Sequence, residues 1–202
     1  AVRAVKWVDG AWAECSGCLA GEAAARVRTP DAGRAAFDGG ALRVAARVGR
    51  FALRFALARD QLAPVEADSA PFGVAPAALE LDASLAEAYF VDEELPECQV
   101  ALLDADGAPM AGVALADGAN VTVAVVWPGR AAPPPAARLR GRAWALADGG
   151  YANFANLSVA GAAGVGAQLL FEYVDAVTGA RLNASSERFS VAPARLAFPG
   201  LP

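Results

Sequence analysis

The sequence predicts an all-β fold built from tandem β-sandwich domains. Three observations support this prediction: an internal repeat, segments in which apolar and polar residues alternate, and turn residues that recur at the spacing of short strands. Alanine is abundant and by itself favours helix, but the period of the apolar residues is the stronger signal. We therefore expect strands throughout.

The internal repeat has an offset of 117 residues, as from Ser69 to Ser186. Its non-alanine identities include Gly33/Gly150, Phe37/Phe154, Val48/Val165, Gly49/Gly166, Leu53/Leu170, Ser69/Ser186, Phe72/Phe189, Val74/Val191, Pro76/Pro193 and Leu79/Leu196. A period of this length suits one immunoglobulin-like sandwich of about 100 residues. We expect the C-terminal part of a first repeat over 1–76, a complete second repeat over 77–193, and the start of a following repeat or a linker over 194–202.

Alternation predicts three strands. One face of Phe51–Leu57 carries four large apolar residues, and Leu169–Tyr173 has the same pattern with Glu172 on the opposite face. The third strand is Val121–Trp127. The faces of the first two match at an offset of 118, so we infer a one-residue length difference in the loop before this strand, compensated after it.

Turn signals separate these strands at Asp106-Gly107, Asp148–Gly150 and Val177–Gly179. Asp104 and Asp106 also resemble a piece of a calcium loop, but the further oxygen ligands are missing, which favours a plain hairpin. The helix candidate is Ser84–Glu94, which can equally be an irregular first strand. Pro133–Pro135 predicts a stiff extended loop or a site of proline hydroxylation and O-glycosylation.

Two segments resemble known repeat families. Leu95–Pro109 resembles the opening hairpin of bacterial invasin-type immunoglobulin-like domains, and Gly166–Val191 is similar to the end of filamin-type repeats. Both families use sandwiches as spacers, adhesion modules or scaffold units. Similar repeats occur in large surface glycoproteins of green algae, including gamete-adhesion and flagellar-surface proteins. The resemblance therefore implies a structural or adhesive role at a cell surface.

Three of the four asparagines lie in glycosylation sequons, namely Asn120, Asn156 and Asn183. This proportion favours a secreted or cell-surface glycoprotein, with N-linked glycans attached. We expect its other partners to be neighbouring repeats of the same chain or other protein subunits. The net charge of −5 gives no reason to bind nucleic acid, and no apolar run is long enough to span a bilayer.

Cysteine usage fits an oxidising compartment. We expect a short disulfide between Cys15 and Cys18, with a bridge from either one to Cys98 as the alternative. A redox pair requires a helix start after Cys15, and a zinc site requires further ligands. We therefore predict no cofactor and no metal.

The chain lacks histidine, which removes the usual general base and the serine and cysteine triads. We predict no enzyme activity. A carbohydrate-binding module appended to an enzyme is the alternative, and it requires exposed Trp or Tyr side chains in a row on one sheet face. Trp7 and Trp127, which end apolar runs as counterparts, are expected in the core, while Trp12 and Trp144 are left open. A hydrolase based on the acidic cluster Asp92–Glu94 is the third hypothesis.

Overall fold

The computed structural model describes residues 2–16, 18–20, 43, 44, 48–59, 62–129, 134 and 136–194. Gly33, Phe37, Pro133, Pro135 and residues 195–202, which enter the sequence predictions, lie outside this part. The described residues form an all-β fold whose helical structure is limited to one 3₁₀ turn, Leu115–Asp117. Ser84–Glu94 is not a helix, since it contains a short strand.

Seven strands lie in the described residues before 75. They are β1 (Val2–Val8), β2 (Ala11–Glu14), β3 (Leu19–Ala20), β4 (Arg43–Val44), β5 (Gly49–Arg59), β6 (Leu62–Asp68) and β7 (Phe72–Val74). Five of them form one sheet in the order β2-β1-β5-β6, with β7 also paired to β5, and β3 pairs with β4. Its small core contains Ala4, Cys18 and Phe51, with Phe72 stacked on Phe51 at 6.4 Å between ring centroids.

Eleven further described strands follow. They are β8 (Ala78–Asp82), β9 (Ala88–Phe90), β10 (Cys98–Leu103), β11 (Asn120–Val126), β12 (Arg138–Arg140), β13 (Trp144–Leu146), β14 (Tyr151–Phe154), β15 (Ser158–Ala160), β16 (Gly164–Val174), β17 (Arg181–Ser185) and β18 (Phe189–Ala192). The Ser84–Glu94 segment supplies β9, which runs parallel to β18.

These later strands form two main sheets that share one core. The three-stranded sheet has the order β14-β10-β8, and the six-stranded sheet has the order β13-β11-β16-β18-β9, with β17 also paired to β16. Their inward side chains belong to one apolar cluster. In this cluster the ring centroid of Phe154, in the three-stranded sheet, lies 5.2 Å from that of Phe171, in the six-stranded sheet. The alternation predicted for Leu169–Tyr173 is confirmed, since these alternate residues are buried while Glu172 is exposed.

The central strand has the same three kinds of partner in the two parts of the chain. Strand β5 pairs with β1, β6 and β7, as β16 pairs with β11, β17 and β18. Ser69 and Ser186 also make equivalent hydrogen bonds in the two parts. The Ser69 hydroxyl accepts from the Leu53 amide at 3.0 Å and donates to the Ala70 carbonyl, and its own amide donates to the Leu53 carbonyl. Ser186 makes the same three bonds with Leu169 and Glu187.

These hydrogen bonds show that the central strands align at a different offset from the one that the sequence repeat predicts. They match Leu53 with Leu169, so the central strand is offset by 116 residues while Ser69 and Ser186 keep the offset of 117. The offset therefore changes by one residue in the hairpin that follows the central strand. The loop before that strand, where the sequence predicts a further difference, lies largely outside the described residues. The identity of Val48 with Val165 is not a structural equivalence, because Val48 is buried and Val165 is 69% exposed.

Candidate functional site

The three sequon asparagines are all exposed. Asn120 begins β11 and Asn183 lies in the middle of β17, on either side of β16. Glu172 of β16 is opposite both Thr122 and Asn183, and all three side chains are exposed. Because residues two apart share a face, Asn120 lies on the same outward face of the six-stranded sheet. Glycans on Asn120 and Asn183 would cover that face.

Asn156 lies in the turn between β14 and β15. Its backbone has φ 55°, in the left-handed region that asparagine tolerates better than most residues. The fourth asparagine, Asn153, lies outside any sequon and accepts a hydrogen bond from the Gln99 side chain at 2.8 Å. The sequon asparagines therefore lie on accessible strands and turns, where an oligosaccharide can be attached without disturbing the core.

The cysteines lie in two separate places. The structure pairs Cys15 with Cys18 in the turn after β2, where Cys18 is buried in the first core. Cys98 is a free thiol in the core of the second part, and its thiol contacts the Pro96 carbonyl at 3.5 Å. Burial raises the pKa of the Cys98 thiol to about 11. In this arrangement Cys98 is neither a disulfide partner nor a reactive thiolate.

The four tryptophans do not form a row on one face. Trp127 is buried as expected, but Trp7 is 40% exposed, which corrects its placement in the core. The two are not equivalent positions. Lys6 is opposite Phe51, which corresponds to Ala167 at the offset of 116, and one further step along the register of β11 with β16 places Trp127 opposite Ala167. Trp127 therefore corresponds to Lys6 and not to Trp7. Trp7 packs edge-to-face against Trp12 at 5.1 Å, and Trp144 is exposed on the other sheet beneath the Arg142 guanidinium.

The acidic cluster is a solvated turn. Asp92 forms an ion pair with Arg140 at 2.9 Å, and Glu93 accepts a hydrogen bond from the Phe90 amide. Asp104 likewise serves its own turn, since its carboxylate accepts from the Asp106 and Ala108 amides. Within the described part of the chain, no group of three or more metal-ligating side chains could hold an ion.

The two parts of the chain meet beside β1 and β7. Lys6 forms an ion pair with Asp117 of the 3₁₀ turn, 111 residues away, and both side chains are largely buried. Val48 belongs to the core of the second part, and Val74 packs against both cores. The sequence contained one signal for this region that was missed: Asp9-Gly10, a hairpin dipeptide that places Trp7 opposite Trp12.

Comparison with known protein families and with curated proteins gives no match for this chain. None of the described helical structure is long and apolar enough to cross a membrane.

Proposed function

We propose that this chain consists of tandem immunoglobulin-like repeats and acts as a structural or adhesive module of a secreted or cell-surface glycoprotein. In this proposal residues 77–193 are one complete repeat and 1–76 are the C-terminal part of another. The module holds its neighbours in a fixed orientation and presents glycans or loops to partners. It has no catalytic role.

The division of the later strands into two sheets supports the complete repeat. An immunoglobulin domain places its first, second and fifth strands in one sheet and its third, sixth and seventh in the other. The three-stranded sheet β14-β10-β8 and the central strands β11, β16 and β18 of the larger sheet follow this division. The buried Trp127 at the end of β11 occupies the region where such domains place a core tryptophan.

The three equivalent pairings of the earlier strands support the partial repeat. Among the described residues before 75, the main strands reproduce the half of a sandwich that contains β11, β16, β17 and β18. Leu57 is 47% exposed there, whereas Tyr173, which occupies the matching position by register, is buried in the core shared by the two sheets. The remaining half of the first sandwich is therefore supplied by other residues in this proposal.

One observation carries the assignment to a glycoprotein: all three sequon asparagines are exposed, and two of them share the outward face of one sheet. Glycans there would shield that face and hinder unwanted pairing of the edge strand β17. A sequon on an accessible strand is the context that glycosylation requires.

The intact mass of the chain tests this proposal. The chain is expressed through a eukaryotic secretory pathway, and its mass is measured before and after treatment with a peptide N-glycosidase. We expect a decrease on treatment that becomes smaller in Asn120→Gln, Asn156→Gln and Asn183→Gln. The control is Asn153→Gln, which removes an exposed asparagine outside any sequon. A folded, secreted chain whose mass equals that of the bare polypeptide would refute the glycoprotein assignment.

A further inference from the structure

A cleft of about 1030 Å³ lies where the two parts of the chain meet. This is the size of a pocket for a small ligand, and such pockets occur preferentially at junctions between domains. Strands β1, β2, β5 and β7 form one wall, while the 3₁₀ turn and the loop after β16 form the other. The side chains that set its chemistry are Lys6, Trp7, Asp9, Glu14, Arg50 and Asp117.

The walls of the cleft are held in position by contacts between the two parts. The Lys6–Asp117 ion pair ties β1 to the 3₁₀ turn, and Asp117 also accepts a hydrogen bond from the Ala114 amide. At Gly73 a Cβ atom would lie 2.8 Å from Cγ2 of Thr178 and 3.2 Å from Cγ1 of Val177. The second wall therefore approaches as closely as glycine permits, so the cleft exists before any ligand binds.

Trp7 gives the cleft an apolar surface. Its indole is 40% exposed although it lies beside several polar side chains. The Trp12 ring packs edge-to-face against it, and the Arg50 guanidinium lies 5.9 Å from its centroid, near the limit for a cation–π contact. These neighbours hold the orientation of the indole, so little conformational entropy is lost when a ligand stacks on it.

The charged groups of the cleft nearly balance. Two cations, Lys6 and Arg50, face three carboxylates, Asp9, Glu14 and Asp117, and Lys6 is already paired with Asp117. Glu14 contacts Arg3 at 3.3 Å. The electrostatic field of the cleft therefore does not select a strongly charged ligand. Carboxylates accept and guanidinium groups donate hydrogen bonds, and a ligand that uses both must carry groups that donate and accept, as hydroxyls do.

We propose that this cleft binds a neutral oligosaccharide, with one sugar ring stacked on Trp7 and its hydroxyls hydrogen-bonded to Glu14 and Arg50. An apolar ring face bordered by hydroxyls complements a flat indole surrounded by donors and acceptors. The proposal depends on the junction cleft and does not require that this chain itself be glycosylated.

A binding experiment with unglycosylated protein from a bacterial host tests the proposal. The probes are β-linked gluco-, manno-, xylo- and galacto-oligosaccharides of four to six units, added at millimolar concentration to ¹⁵N-labelled chain. The readout is the shift of the indole N–H signals of Trp7 and of its neighbour Trp12, and the Trp12 signal reports binding in the variants that lack Trp7. The matched variants are Trp7→Ala, Trp7→Phe and Trp144→Ala, since Trp144 is equally exposed, at 43%, but lies away from the cleft.

We expect at least one probe to shift the Trp7 signal, with the affinity reduced about tenfold or more in Trp7→Ala, partly retained in Trp7→Phe and unchanged in Trp144→Ala. Unchanged Trp144 and Trp127 signals in Trp7→Ala would show that the variant is folded. The proposal would be overturned if no probe moved the Trp7 signal or if Trp144→Ala weakened binding as much as Trp7→Ala. Each result is separate from the mass measurement of glycosylation.

Discussion

At the residue scale, Ser69 and Ser186 show how one hydroxyl supports a sheet where strand pairing changes partners. In each part of the chain the central strand pairs with the two strands that follow it, and the serine lies between those two strands in sequence. Its hydroxyl accepts a hydrogen bond from an amide of the central strand and donates one to the carbonyl of the residue that follows the serine. Ser186 is one of the few buried polar residues among those described, and its side chain is fully used.

Ser186→Ala should destabilise the chain more than Ser69→Ala. Removing the hydroxyl leaves the buried Leu169 amide without its acceptor, which costs about 2 kcal/mol. Ser69 is less buried, so water can replace its hydroxyl and the loss should be about 1 kcal/mol or less. Urea unfolding midpoints measure both variants. Equal midpoints for the two would contradict the role given to burial.

Cys98 should make stability depend on pH in the alkaline range. Its folded pKa of about 11 lies above the ordinary value of 9.0. The protonated thiol contributes fully to the free energy of unfolding below pH 9. This contribution is lost as pH rises towards 11, because the same thiol ionises at a lower pH in the unfolded chain. Cys98→Ala should lower stability at pH 7 through a cavity but should reduce the further decline between pH 9 and 11 by up to about 2 kcal/mol.

The measurement is the free energy of unfolding at several pH values from 7 to 11. Tyr173→Phe is the control, because the pKa of Tyr173 is raised to about 12, mainly by burial and also by Asp175. Its effect should begin only above pH 10. A decline between pH 9 and 10 that is the same with and without Cys98 would contradict the prediction.

At the element scale, the sequence identifies strands better than their register. A period of two specifies which face of β16 is buried, and this prediction is confirmed. It does not distinguish an offset of 116 from one of 118, because both place the same residues inside. The prediction that Trp7 lies in the core is wrong for a related reason. An apolar run indicates that part of a strand is buried, but whether its last residue is covered depends on segments that are distant in sequence.

The turn before β14 contains two glycines that differ in one respect. Gly149 and Gly150 both have positive φ, of 58° and 87°, as a tight hairpin requires. A Cβ at Gly149 would meet nothing within 4 Å, whereas one at Gly150 would lie 2.9 Å from the carbonyl carbon and oxygen of Met110. The backbone beside Met110 cannot move away easily, because the Met110 amide donates to the Leu102 carbonyl at 2.8 Å.

Gly150→Ala should therefore destabilise the chain clearly more than Gly149→Ala. The left-handed backbone alone costs about 1 kcal/mol at either position. The contact with Met110 adds about 2 kcal/mol at Gly150 because packed backbone must shift. Thermal unfolding measures both variants. If the two substitutions lowered the midpoint equally, the close approach of this turn to Met110 would be contradicted.

At the scale of the whole molecule, the two parts are joined by side chains that no local pattern connects. Lys6 and Asp117 are 111 residues apart, and neither lies in a motif. Val48 and Val74 precede the second part in sequence but pack against its core. Such contacts depend on how complete elements are placed, so the sequence predicted two repeats but neither the junction nor the cleft beside it.

Lys6→Met should uncouple the two parts. The Lys6 and Asp117 side chains are only 12% and 5% exposed, so removing the amine leaves a carboxylate buried without its counter-charge. Breaking such a pair costs about 3 kcal/mol. Arg3→Met is the matched control on the same strand, because the Arg3–Glu14 pair is 50% and 61% exposed and should contribute about 1 kcal/mol or less. Calorimetry should show that the unfolding transition of Lys6→Met occurs at a lower temperature and separates into two. The transition of Arg3→Met should remain unchanged. If both variants behaved alike, the ion pair would not be what joins the two parts, and the apolar contacts of Val48 and Val74 would have to hold the junction alone.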